Sequence, residues 1–186
     1  MNSGNTEQKD DYAQFMEQFM KPYSKANNLR REYKDEEALS IYQNLLPLTE
    51  NLLNKYNGIR EREIHTDILD KIGMCLSGLC RDEEALTIFL KSYDIKKDLM
   101  TEDPSPEKKC YFAFTAYCIG DSLYLLERYN EALEYYRTGM RTLNPILKNC
   151  DVANAYDLFE QIKKAYERTL VDADENQSKL DEFSDA

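Results

Sequence analysis

Alanine recurs at Ala38, Ala85 and Ala132, each time 47 residues further along, inside the stretches Lys34–Leu39, Arg81–Leu86 and Arg128–Leu133. The same step carries Leu29 to Leu76 and Leu123, Tyr42 to Phe89 and Tyr136, and Leu52 to Leu99 and Ile146. Self-similarity at one fixed period is the signature of a repeat array, whose units stack because none buries its apolar face alone.

A second regularity describes the unit. Ahead of each alanine, at the same offset, stands another small residue: Ala26, Gly73 and Gly120. Helices approach to about 8–10 Å depending on the side chains at the contact, and small residues permit the closest approach. One small residue late in a first helix and another early in a second predict an antiparallel hairpin with a short turn. Asp35, Asp82 and Asn130 are expected to cap the second helices, with acids in the first turn favoured by the helix dipole.

Positions eight, eleven, twenty and twenty-four of such a unit hold Ala26, Leu29, Ala38 and Tyr42, then Gly73, Leu76, Ala85 and Phe89, then Gly120, Leu123, Ala132 and Tyr136. This pattern resembles the tetratricopeptide (TPR) repeat over roughly residues 13–150. Two departures stand out. The tryptophan of the fourth position is absent (Pro22, Leu69 and Ala116 occupy it), and the period exceeds the usual value of about 34. Longer helices, as in the kinesin-light-chain type of array, would take up the difference. The resemblance implies an all-α fold: a right-handed superhelical array of antiparallel helix pairs, a TPR-like α-solenoid of three repeats plus a C-terminal capping helix.

Along the chain, residues 1–9 are polar and expected to be disordered. A single helical domain is expected over 10–171, with units at about 13–59, 60–106 and 107–150. At Pro22 either one kinked helix runs on to Tyr33 or the helix breaks, and a break is expected; Pro47 is expected to bend the second helix, which should close at Asn57-Gly58. Thr101–Glu107 is a breaker, with Ser105-Pro106 as an N-cap followed by proline at the first helical position. The last second-helix is expected over Asn130–Lys148, interrupted mildly by Pro145. Residues 151–171 keep the phase of a fourth first-helix, but Glu167 and Lys179 replace the small pair. A lone terminal helix of this kind is what an array needs to cover its last apolar face. Residues 172–186 form an acidic tail expected to be disordered.

Composition removes several function classes. The formal net charge is −11, against the clustered Lys and Arg that nucleic-acid or anionic-membrane binding requires. No apolar run approaches the ~18 residues of a membrane span, and the N-terminus lacks the layout of a secretory signal, so the cytoplasm is the expected compartment. Five cysteines give an odd count that argues against a disulfide framework. Cys75 and Cys80 have no second pair or His cluster, so no metal is expected. Cys75, Cys110 and Cys118 read as small core fillers. The single His65 has no evident Ser or Cys partner in sequence, and no phosphate-binding glycine loop or EF-hand spacing occurs. Neither catalysis nor a cofactor is expected.

What remains is surface. The resemblance implies a concave groove lined by the first helices. The family's groove positions fall on Tyr23, Asn27 and Arg30, on Asp67, Asp70 and Met74, on Phe114, Tyr117, Asp121 and Tyr124, and on Lys164 and Arg168. Some of these aromatics could equally pack between units. The chaperone-binding members grip a C-terminal carboxylate with Lys and Asn, Asn, then Lys and Arg. Here those positions hold Tyr23, Asn27, Lys71, Phe114 and Cys118, which argues against a chaperone tail. The expected function is a non-catalytic adaptor or scaffold that binds a protein or peptide segment. Asp67, Asp70 and Asp121 favour basic groups on that segment, and the aromatics favour apolar anchors. The alternative is a structural subunit built permanently into a larger assembly, such as a cytoskeletal one.

Overall fold

The computed structural model describes the backbone of residues 3–147 and 154–184, with side chains over 11–147, 154–174 and 176. The described residues form seven helices and no strand: α1 (Ser3–Arg31), α2 (Asp35–Tyr56), α3 (Ile59–Gly78), α4 (Asp82–Glu102), α5 (Pro106–Leu125), α6 (Tyr129–Leu143) and α7 (Ala155–Ser184). They fall into two compact units, Met1–Cys80 and Arg81–Ala186. In the first, α1 packs on α2 and α2 on α3; in the second, α4 packs on α5, α5 on α6 and α6 on α7, which also touches α5.

The turn ahead of each second helix is built the same way three times. Tyr33, Cys80 and Glu127, spaced by the repeat period, adopt left-handed φ values of 59°, 56° and 59°. Each donates its N–H three residues back, to Arg30, Ser77 and Tyr124, at 3.0 Å. Lys34 and Arg128 donate to Leu29 and Leu123 at 2.9 Å. In the first and third turns the two bonds together make a Schellman closure, which satisfies carbonyls orphaned at a helix end.

This turn overturns the expected caps. The N-cap residues are Lys34, Arg81 and Arg128, with ψ of 60°, 58° and 57° and no side-chain cap bond. Asp35 and Asp82 are already inside the helix, as is Asn130. The tight turn spends the residue before the helix on closing the previous one, leaving no extended position from which a carboxylate could cap. The acids act through the dipole instead, and Arg81 and Arg128 each fork onto Glu84 and Glu131 with two bonds of 2.7 Å. Ser105 is the N-cap of α5, with Pro106 behind it, but its hydroxyl makes no cap bond. The neighbouring Asp103 carboxylate accepts from the Ser105 N–H at 3.1 Å.

The core explains the period-wide aromatic. Tyr42 and Tyr136 are fully buried, and their hydroxyls donate to Asn27 and Asp121, both at 2.7 Å. A Cβ on Gly120 would lie 2.5 Å from a Tyr136 ring carbon. Gly120 thus makes room for the aromatic ring of the next helix, and not simply for the alanine opposite. Where the middle repeat has Phe89 in place of tyrosine, it has Met74 in place of the polar acceptor.

The prolines behave unequally. α1 runs through Pro22 without the expected break, and it begins at Ser3, inside the stretch read as disordered. Phe15 and Phe19 are buried, and the Phe15, Phe19 and Tyr23 rings stack in sequence at 4.8 and 5.0 Å, so packing holds the helix across the missing N–H. α2 likewise continues through Pro47 and ends on a left-handed Asn57, as the Asn-Gly pair predicted. α6, however, stops at Leu143, short of the expected Lys148. Pro145 cannot donate, and the Ile146 N–H bonds to Leu143 to make a turn that puts Ile146 in the core. The residues at 148–153, which carry the end of the third expected repeat, lie outside those described. The helical backbone of α7 continues past 171 to Ser184. In the repeat register, α7 exposes Lys163 and Glu167 where α5 buries Ala116 and Gly120. Cys75 is buried, but Cys110 and Cys118 are only half-buried, so two of the three expected fillers are not core.

Gly120→Ala should cost about 1–3 kcal/mol through overpacking against an immovable ring, partly offset by about 1 kcal/mol of helix propensity. Gly139→Ala gains the same propensity but meets the flexible end of Ile162 at 2.9 Å, so it should lose less. Thermal melts check this: Gly120→Ala should melt below Gly139→Ala, and equal midpoints would contradict the ring contact.

Candidate interaction surface

In the first unit, α1 and α3 meet through side chains drawn from the expected groove positions. Tyr23 donates to Asp67 at 2.7 Å, and burial together with that carboxylate pushes the phenol up to about 12. Asn27 accepts from Tyr42, and Arg30 Nη1 lies 3.4 Å from Met74 Sδ. Arg30 Nε also faces Asp35 at 3.5 Å. Asp70 is buried and engaged, not presented to solvent.

In the second unit the corresponding helices are α5 and α7. Asp121 accepts from Tyr136 and faces Arg168 Nη2 at 3.7 Å. Burial, with Asp121 beside it, holds the Tyr117 phenol well above its ordinary value. The Arg168 guanidinium lies 4.0 Å from the Tyr124 ring centre, and Tyr124 donates to Asp172 at 2.7 Å. Phe114 is half-buried and Lys164 exposed.

Most of the expected residues therefore come together in two sets, one in each unit. Their chemistry differs from expectation in one respect: Asp67 and Asp121 already accept hydrogen bonds from tyrosines of the same chain. Sequence reasoning missed the partners Asp35 and Asp172, and also the contacts of Tyr12 with Glu61 and of Asp11 with Lys55 and Tyr56. The signal was present in the separations between facing helices, 44 residues for Tyr23–Asp67 and Arg30–Met74 and 48 for Tyr124–Asp172. Those separations bracket the period but do not equal it.

Two buried polar pairs lie between consecutive helices. Thr49 Oγ1 and His65 Nδ1 are 3.0 Å apart across α2 and α3, and Lys96 donates to Thr115 at 2.9 Å across α4 and α5. His65 is thus an interhelix residue, and its nearest polar contact is a threonine hydroxyl that also bonds the Leu46 carbonyl. No group of three or more His, Cys, Asp or Glu among the described residues is placed to hold a metal ion. None of their helices is long and apolar enough to cross a membrane. The chain matches no protein-family model, and no curated protein is significantly similar to it in sequence.

Burial lowers the His65 pKa below its ordinary 6.5, with Glu50 opposing the shift. As pH falls, the unfolded chain therefore takes the proton first. The contribution of His65 is complete above 6.5 and is lost as pH falls from 6.5 through the lower folded value. Since His65 is the only histidine, its ring proton resonance can be titrated directly by NMR. A midpoint below 6.5 is expected, with a flatter stability profile over that window in His65→Gln; a midpoint at or above 6.5 would contradict the buried placement.

Proposed function

We propose that this chain is a TPR-like repeat module, three helix pairs and a closing helix wound with a right-handed sense. It acts without catalysis, as a cytoplasmic adaptor or scaffold, by holding a segment of another protein along the face of its first helices. The observation that carries this reading is the thrice-repeated turn at Tyr33, Cys80 and Glu127, which supports a true structural repeat beneath the sequence period. The pairing of α1 with α3 and of α5 with α7 through the groove positions supports the choice of face. Tyrosine and arginine are among the side chains most enriched in binding hot spots, and Tyr117, Tyr124 and Arg168 supply them in the second unit. Apolar anchors of the segment would meet these aromatics. Basic groups would be drawn to the carboxylates beside them, Asp121 among these.

A second reading, a subunit fixed in a larger assembly, is favoured by Leu125 and Val171, apolar side chains 56% and 57% exposed on α5 and α7. The two readings separate by mutation once a partner has been captured by crosslinking to the full chain. Tyr124→Ala should weaken binding by about 2 kcal/mol, roughly thirtyfold, through a faster off-rate. Tyr156→Ala, on an exposed position of α7, should leave binding unchanged. Loss on Leu125→Ser or Val171→Ser, with Tyr124→Ala binding normally, would select the subunit reading and reject the groove.

A further inference from the structure

The face between α1 and α3 carries a cation whose hydrogen bonding is incomplete. A guanidinium has five N–H donors. In Arg30, Nη1 reaches only the Met74 thioether, a weak acceptor, and Nε is buried with no hydrogen bond. The one carboxylate nearby, Asp35, stands 3.5 Å from Nε, longer than a charge-assisted bond. That carboxylate is also crowded: Gly78 is packed so closely that a Cβ there would lie 2.5 Å from Asp35 Oδ2. Yet the Arg30 side chain as a whole keeps 23% of its surface exposed.

Lys71 stands one turn before Met74 and Cys75 on α3. It is half-buried and has no ion pair among the described residues, and its charge and that of Arg30 both bear on Cys75. The acid of the same face is differently placed, because Asp67 is already held by Tyr23. In a chain of net charge −11, this leaves a small cationic spot on a face otherwise satisfied from within.

We propose that Arg30 and Lys71 form a seat for an acidic side chain in the interior of a bound protein segment, an inference that rests on the proposed role of this face in segment binding. A carboxylate approaching the Nη edge exchanges a bond to sulfur for charge-assisted bonds to oxygen, and Lys71 adds a second charge. The Met74 thioether is an easy group to displace, since it loses little when its donor turns away. The segment then carries an acidic residue where it meets the first unit.

The test uses the full chain and matched sets of short peptides, identical but for an internal Glu, Gln or Lys, each made with a free and an amidated C-terminus. Fluorescence anisotropy should show Glu peptides binding about 10- to 100-fold more tightly than their Gln counterparts, the range for a hydrogen bond to a charged group. Amidation should change nothing, and Lys peptides should bind no better than Gln. Both Arg30→Met and Lys71→Met should erase the preference for Glu. Should Arg30→Met melt early, Lys71→Met, which breaks no ion pair, carries the test. The Met74 methyl resonance should move on titration with a Glu peptide. Equal binding of Glu and Gln peptides, a need for the free terminus, or an unchanged preference in a folded Lys71→Met would overturn the seat while leaving segment binding intact. Failure of every set to bind would overturn both.

Discussion

The short turn with a left-handed corner is the constraint on which the second helices depend. In an α-helix each residue turns the side-chain direction by roughly 100°, so a turn of fixed length fixes which face of the second helix looks back at the first. At the third turn that register delivers Tyr136 onto Gly120 and its hydroxyl onto Asp121. At the first it delivers the Tyr42 hydroxyl onto Asn27. None of the three corner residues is glycine, although a left-handed conformation costs other residues on the order of 1–2 kcal/mol. The backbone bonds that close each corner, and the buried ring that follows it, hold the conformation against that cost.

The helical class and much of the core were legible because they depend on periodic spacing alone. Ala26, Ala38, Leu76, Ala85, Leu123 and Ala132 are all buried where the period puts them. The caps were misread because a rule based on residue type assumes an extended residue before the helix, and here that residue belongs to the preceding turn. Proline was ambiguous for a similar reason. Pro47 sits among Leu45, Thr49 and Leu52, which bury one face of α2 on both sides of it, whereas after Pro145 only Ile146 is in the core before the described chain is interrupted. Whether a helix survives a proline is decided by packing on either side, which the residue itself does not announce.

The surface was half legible. The positions were available from the pattern, but their pairing was not, since it depends on how far one first helix is offset along the next. That offset turns Asp67 from an open charge into an acceptor for the Tyr23 hydroxyl and leaves Arg30 against a sulfur, while Asp121 is taken by Tyr136 of its own hairpin. Electrostatic readings made from sequence alone count formal charges; the structure shows which of them already have an internal partner. The proposed binding face therefore owes its character less to its acids than to its aromatic rings and its incompletely bonded cation.

Thermal unfolding of two single-residue insertions, followed by far-UV circular dichroism, tests the role of the turn most directly. One glycine goes in after Arg128, inside the fixed turn, and the other between Pro104 and Ser105, in the irregular stretch linking α4 to α5. Loops tolerate insertion at small entropic cost, so the second variant should melt close to the wild type. The first should rotate α6 by roughly 100°, lift Tyr136 away from Gly120, and lower the midpoint by several degrees with loss of cooperativity. Equal midpoints for the two insertions, both near wild type, would show that the turn does not set the register of the second helices.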